Sequence, residues 1–315
     1  MIYEQKRRIH NHNTAQDIVE GALRVCGAVD VDQPLETTDL NLGLNDLNRY
    51  VKYIQSKGAN LWKETEGVLF LDVSKTSYLL GPTGDEACDY DDFVATTLSA
   101  DEASGQTILS VTSSTGMTAA DYVGIELDDG TRQWTTIVSV DSSTQITVTA
   151  SLTDDAASGN SVYTFTSLIP RPLGILENSR YQRSQSDEEI QINRWSKKQY
   201  MIQPDKTSTG DVVNEAYQPL LDNGKYYVWQ PTNNVKSVVR FTYYRPIEVF
   251  STSANNPDFP EEWYLPLVYN LAKMLGPQYK VSGEQMAEIK DQAQEYLDDV
   301  MGFDNEDAPL QVVPC

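Results

Sequence analysis

Apolar residues recur at helical spacing near both ends of the chain and at strand spacing between them. Ile18, Ala22, Val25 and Cys26 form the first stripe. Thr14 is placed to N-cap it, with Asp17 three residues on, and Gly27 ends it. Leu40, Leu44, Leu47, Val51 and Ile54 form a second stripe that starts near Thr37 or Thr38 and closes at Lys57-Gly58. From Glu66 the pattern changes. Val68 and Phe70, then Tyr78-Leu79-Leu80, read as two short strands ending at Gly81-Pro82. Across residues 84–166 Ser, Thr, Ala, Gly and Asp dominate, and strands arrive at regular spacing over 107–111, 122–127, 133–140, 145–149 and 162–165. Asp128-Asp129-Gly130 is a hairpin turn between two of them. This is the pattern of a small inserted β-sandwich or barrel.

After Pro170 strands are expected through Ile175 and over 190–192, then a helical turn over 196–200 that stops before Pro204. Residues 210–220 and 226–230 predict a hairpin through Asp222-Asn223-Gly224, an Asn-Gly turn. Val238, Phe241, Tyr243 and Tyr244 predict a strand ended by Arg245-Pro246. A polar loop over 251–258 leads to a helix start at Pro260-Glu261-Glu262. Trp263, Leu267, Val268, Leu271 and Leu275 make that helix's stripe, and Gly276-Pro277 stops it. Pro266 removes the hydrogen bond to Glu262, which predicts a bend. The last helix begins near Ser282, with Met286, Ile289, Ala293, Tyr296, Leu297 and Val300 on one face. The fold class is therefore α+β: a helical core of two N-terminal and two C-terminal helices, an antiparallel β region, and an inserted all-β sandwich or barrel. The expected domains are residues 1–83 with 167–302, an acidic insert at 84–166, and a tail at 303–315.

Charge sharpens this picture. The net charge is −22, and residues 84–166 carry fourteen Asp and Glu against Arg132 alone. A protein that wraps nucleic acid through its phosphates needs a basic face, so the charge argues against that class. A surface past which DNA slides remains compatible, because repulsion prevents sticking. Asp89, Asp91 and Asp92 lack the residue order and closing Glu of an EF-hand, so no metal or cofactor is expected. With only His10 and His12, a histidine metal or triad site is disfavoured. Cys26, Cys88 and Cys315 are widely spaced and read as reduced thiols of a protein made in a cytoplasm. No apolar run approaches the length of a signal peptide or a membrane span.

Three segments carry readings that the pattern leaves open. Lys6-Arg7-Arg8 in the polar N-terminal stretch is either a solvated arm or a tether onto an acidic neighbouring subunit. Arg180, Arg183, Arg194, Lys197, Lys198 and Lys206 give residues 180–206 the richest basic content. They either balance the acidic insert or take an intersubunit or channel-facing role. Tyr226, Tyr227 and Trp229 are either cross-strand core pairs or a sugar-stacking platform.

The blocks DIVEGALRVCG, LNLGLNDLNRYVKYIQSKGANLW, TSYLLGPTGD and FTYYRPIEVF…NPDFPEEWYLPLVYNLA keep one collinear order around the insert. Over 14–83 and 168–300 the chain resembles the head-to-tail adaptors of tailed phages, the packaged-DNA stabilisation proteins best known from short-tailed phages. The insert's wording, YVGIELDDGTRQWTTIVSV, is similar to β-insertions of larger phage adaptors and other virion proteins. The resemblance implies a non-enzymatic virion protein at the head-tail junction. Its partners would be the portal protein, further copies in a dodecameric ring, and the next tail component, a nozzle or tail hub. Double-stranded DNA would pass without specific binding, and no membrane is involved. The resemblance also implies that Asp304, Leu310, Val312 and Val313 of the tail dock on the portal, the alternative being a disordered terminus. Two other functions compete: a tail or capsid decoration protein working through the insert, and a tail-associated glycosidase. The latter needs two carboxylates flanking a sugar cleft, and no order in the sequence selects a pair.

Overall fold

The computed structural model describes residues 14–30, 34–57, 61–184 and 188–303. The chain divides into two compact units: Met1–Lys63 with Ile247–Cys315, and Glu64–Pro246. It is a mixed α+β protein.

In the first unit the helices are α1 (Ala15–Val25), α2 (Thr37–Gln55), α4 (Tyr264–Leu275) and α5 (Gly283–Phe303). A six-residue α3 (Lys197–Ile202) belongs to the second unit. The N-terminus of α1 is fixed by a reciprocal cap: Thr14 N donates to Asp17 at 2.7 Å and Asp17 N donates to the Thr14 hydroxyl at 3.3 Å. Gly27 ends it at φ +67°, with Ala28 N on Leu23 O at 2.9 Å. Ile18, Val19, Leu47, Val51, Leu267, Leu271, Leu275 and Ile289 share one apolar core drawn from all four helices. Burial raises the Cys26 thiol to about 11, and its Sγ contacts Ala272 O at 3.4 Å. The α-helix starts later than the sequence suggests. A 3-10 turn, Glu261–Trp263, comes first and α4 starts at Tyr264. Pro266 thus lies in the first turn, where a missing N–H costs nothing.

The second unit is built from three sheets. The first runs β12 (Ile190–Gln191), β11 (Arg180–Gln182), β16 (Val238–Tyr244), β1 (Glu64–Phe70) and β3 (Ala87–Asp89), with β10 (Gly174–Ile175) also on β16. The second runs β13 (Asn193–Arg194), β14 (Asn214–Gln218), β15 (Gly224–Trp229) and β2 (Ser77–Leu80), antiparallel except for β13 on β14. The third runs β4 (Val94–Thr97), β9 (Ser161–Phe165), β6 (Tyr122–Glu126), β7 (Arg132–Ser142), β8 (Gln145–Val148) and β5 (Ile108–Ser110). Its edge strands meet: Leu98 bridges Val111, and Thr112 N donates to Thr97 O at 2.8 Å. Curling the sheet hides its edges and encloses Leu109, Val123, Ile125, Ile137, Ile146 and Val162.

The middle of the unit is apolar on both faces. On one face of β1 and β16, Leu69, Val239 and Phe241 pack with Tyr78, Leu80, Tyr226 and Val228 of the four-stranded sheet. On the other, Val68, Phe70 and Val238 meet Tyr163 and Phe165 of the curled sheet. Hence Gly67–Phe70 is buried without alternation. Phe70 sits 5.1–5.6 Å from the rings of Trp134, Tyr163, Phe165 and Phe93. Arg132 is enclosed there, its guanidinium 4.9 Å from the Tyr163 ring centroid and 5.6 Å from those of Phe70 and Trp134. Its three nitrogens have no hydrogen-bond partner, and burial lowers its pKa. Gly124 makes room for it, since a Cβ there would lie 2.8 Å from Arg132 Cδ.

The insert's acids are mostly loop staples. Asp92 accepts from Thr166 N and Ser167 N, Asp101 from Ser158 N, Asp128 from Ala157 N, and Asp155 from Ser104 N, at 2.8–3.1 Å. The predicted turn at Asp128-Asp129-Gly130 forms, with Gly130 at φ +83°. The predicted hairpin forms as β14 and β15, but without a two-residue Asn223-Gly224 turn. Residues 219–223 make the connection, and Gly224 is already in β15. Asn223 is occupied with Thr83, 2.9 Å away. Gly224 is needed because a Cβ would fall 1.9 Å from the Tyr217 hydroxyl. Among the described residues no helix is long and apolar enough to cross a membrane.

Gly224→Ala therefore forces Tyr217 out of place and costs about 1–3 kcal/mol, read as a lower midpoint in urea. A second expectation concerns acid. Side-chain hydroxyls of Thr147 and Ser139 hold the Asp141 carboxyl below its ordinary 3.8. A lowered folded pKa contributes stability that is complete above the unfolded value and lost as pH falls through the folded one. Asp141→Asn should therefore flatten the loss of thermal stability below pH 3.8, a value set by the ordinary carboxyl.

Candidate functional site

The sequence singled out basic residues, and the structure separates them into two groups. Arg180 lies on β11 directly opposite Arg240 of β16. Both reach Glu66 and Glu189, with Arg180–Glu66 2.5 Å, Arg180–Glu189 3.1 Å, Arg240–Glu66 2.9 Å and Arg240–Glu189 2.5 Å. Two like charges that face one another across a ladder are held by two shared carboxylates. Arg240 also stacks over Tyr90 at 3.9 Å. Arg183 grips Asp211 through two nitrogens, Nε at 2.8 Å, and this bond holds the Asp211 carboxyl below its usual range.

Arg194 is more enclosed than Arg180 or Arg183. It pairs with Glu215 at 2.9 Å, and Glu215 is 1% exposed. It also donates to Ile175 O. The Tyr226 hydroxyl donates to the other Glu215 oxygen, and burial followed by that carboxylate holds the phenol well above its usual pKa. These three arginines thus spend their charge inside the second unit.

Lys197 and Lys198 do not. A reciprocal cap sets α3, with Ser196 N on Gln199 Oε1 at 2.7 Å and Gln199 N on the Ser196 hydroxyl at 3.2 Å. The helix lies on one face of β14 and β15. There Tyr200 packs on Tyr227 at 4.7 Å, Trp195 stacks on Trp229 at 5.3 Å, and Lys197 donates to Gln218. Trp229 Nε1 donates to Asp205 O at 2.8 Å. Period-two alternation puts Lys225, Tyr227 and Trp229 on this same face, and Lys225 pairs in register with Leu79 and Gln218. Lys225 lies over Tyr227 at 5.3 Å and Lys206 over Tyr200 at 5.5 Å. Among the described residues Lys197, Lys198, Lys206 and Lys225 form no ion pair. Asp205 and Asp222 are the nearby acids by sequence, and Asp205 accepts from Thr207 N and Ser208 N.

One short helix does not cover this face. Met201 is 58% exposed, Ile202 70% and Leu79 39%. The result is a basic, aromatic surface with unburied apolar side chains, suited to an acidic partner. Sequence reading found Lys197 and Lys198 from the local charge run. It missed Lys225 as part of the same surface, because strand register is what joins them. The alternation of Lys225, Tyr227 and Trp229 was the available signal.

Other features lie elsewhere. An open cavity of about 610 Å³ on the outer face of β4 and β9 is lined by Thr96, Thr97, Thr112, Ser161, Tyr163 and Lys236. Among the described residues no group of His, Cys, Asp and Glu could hold a metal ion. Asp304, Leu310, Val312, Val313, and the Lys6-Arg7-Arg8 cluster lie outside the described residues. No family model and no curated protein matches the chain.

Arg194→Met leaves the Glu215 carboxylate buried without its cation and should cost about 3 kcal/mol. Adding Glu215→Leu should recover most of that, read by urea unfolding.

Proposed function

We propose that this chain is a non-enzymatic head-to-tail adaptor of a tailed-phage virion. The observation that carries the reading is the collinear resemblance of residues 14–83 and 168–300, interrupted by one insert of different composition. In this reading the four long helices serve as the adaptor's core, the β-hairpins frame it, and the inserted barrel is an outward decoration or contact module. The adaptor sits below the portal as a dodecameric ring, extends the DNA channel, retains packaged DNA and presents the attachment surface for the tail.

The physical support is charge. A subunit of net charge −22 repels the phosphate backbone, which suits a conduit through which DNA passes. The intrachain pairing of Arg180, Arg183 and Arg194 with carboxylates removes cations that would otherwise hold DNA. The tail, through Asp304, Leu310, Val312 and Val313, docks on the portal.

The test is sedimentation of the full chain with portal rings. About one adaptor should travel with each portal subunit, and deletion of residues 303–315 should abolish this. A chain that ignores the portal overturns the reading and moves the weight to a decoration role for the barrel.

A further inference from the structure

The uncovered face around α3 needs an occupant, and the chain itself presents one of opposite sign. Glu284, Glu288, Asp291, Glu295 and Asp298 follow one another at steps of three and four along α5, and all are exposed. This spacing puts them in one stripe on the helix side away from Ile289 and Ala293, which are buried. At 1.5 Å per residue the stripe runs about 21 Å. Among the described residues none of the five carboxylates forms an ion pair. Tyr296, half-buried, packs on Tyr269 of α4 at 5.0 Å, on the side of α5 nearer Ile289 than the stripe.

We propose that the basic face of the four-stranded sheet is a docking surface for the acidic α5 stripe of a second copy of this chain. Lys197, Lys198, Lys206 and Lys225 supply ammonium groups with no carboxylate of their own. Met201 and Ile202 lie exposed beside them. A nucleic-acid strand would meet the same lysines, but it would approach them through the field of a chain at −22. A protein helix brings carboxylates at fixed spacing, and this face offers ammonium groups at fixed positions to meet them. The contact joins two different patches, so it is head-to-tail and repeats from copy to copy. It does not rest on the adaptor reading, and its test contains no portal.

The test uses full-length protein, half of it labelled with heavy nitrogen, treated with a carbodiimide at low ionic strength. Bonds between Lys197 or Lys198 and the 284–298 stripe should form between heavy and light copies and disappear at high salt. Lys197→Glu with Lys198→Glu in one variant, and Asp291→Lys with Glu295→Lys in another, should each lower the yield about tenfold when alone. Mixing the two variants should restore it, because the reversed face of one then meets the reversed stripe of the other. All four positions are exposed, and unchanged circular dichroism excludes misfolding. Bonds that form only within one copy, fall elsewhere, or do not return on mixing would overturn the proposal.

Discussion

β1 and β16 pair along their whole lengths, from Glu64 with Tyr244 to Phe70 with Val238. Their partners are far apart in sequence; Glu66 and Arg240, joined by a salt bridge, are separated by 174 residues. Closing so long a loop is costly, yet each further doubling of its length adds only about 0.6 kcal/mol. Once the pair is formed, the chain between can therefore grow at little cost. The curled sheet, β4 to β9, occupies that permitted space. The same pair leaves the first unit after Lys63 and returns to it at Ile247, so entry and exit lie side by side on adjacent strands. A unit whose ends are neighbours can be inserted between helices without opening their core.

Such a pair must be buried on both faces to hold, and the second face is where Arg132 lies. A guanidinium with no hydrogen bond is costly to bury, and its cost is offset by three aromatic rings within 5.6 Å. Its cross-strand partner Glu126 is turned to Ser161, whose N–H and hydroxyl both donate to it at 2.9 Å. Glu126 also reaches Lys236 at 3.4 Å, on the loop before β16. Charge and aromatic packing therefore tie the insert to the same strand that closes the unit. The one cation of an acidic stretch is spent on this junction.

Elements that depend on local chemistry were legible in the sequence. The Thr14 and Asp17 cap, Gly27, the Asp128-Asp129-Gly130 turn and the strands of the insert each follow from residues within a few positions. Elements decided by distant neighbours were not. Pro266 looked like a kink until the 3-10 turn before it displaced the helix start. Asn223-Gly224 looked like a two-residue turn, but the Tyr217 ring across the strand pair is what selects the glycine. Composition showed only that the insert is acidic; that many of its carboxylates are loop acceptors depends on backbone groups brought to them by the fold. Arg180 and Arg194 were open to either a charge-balancing or an intersubunit or channel-facing reading, and the fold gave each a carboxylate within the chain. Lys197 and Lys198 kept the availability that the charge run suggested, because α3 places them on the solvent side of the sheet.

That last contrast bears on how an acidic chain can assemble. Long-range repulsion between copies at −22 opposes every contact, and only a place where the local sign reverses can offset it. Exposed pairs are individually weak, so no single lysine is enough. Four lysines on one rigid face against five carboxylates on one rigid helix act together, and both sets sit on elements whose positions are fixed by packing. Because the two patches differ, a fixed rotation relates successive copies. Such a series closes into a ring or runs on as a filament, depending on that rotation alone. A template that holds the first copies at the closing angle would select the ring.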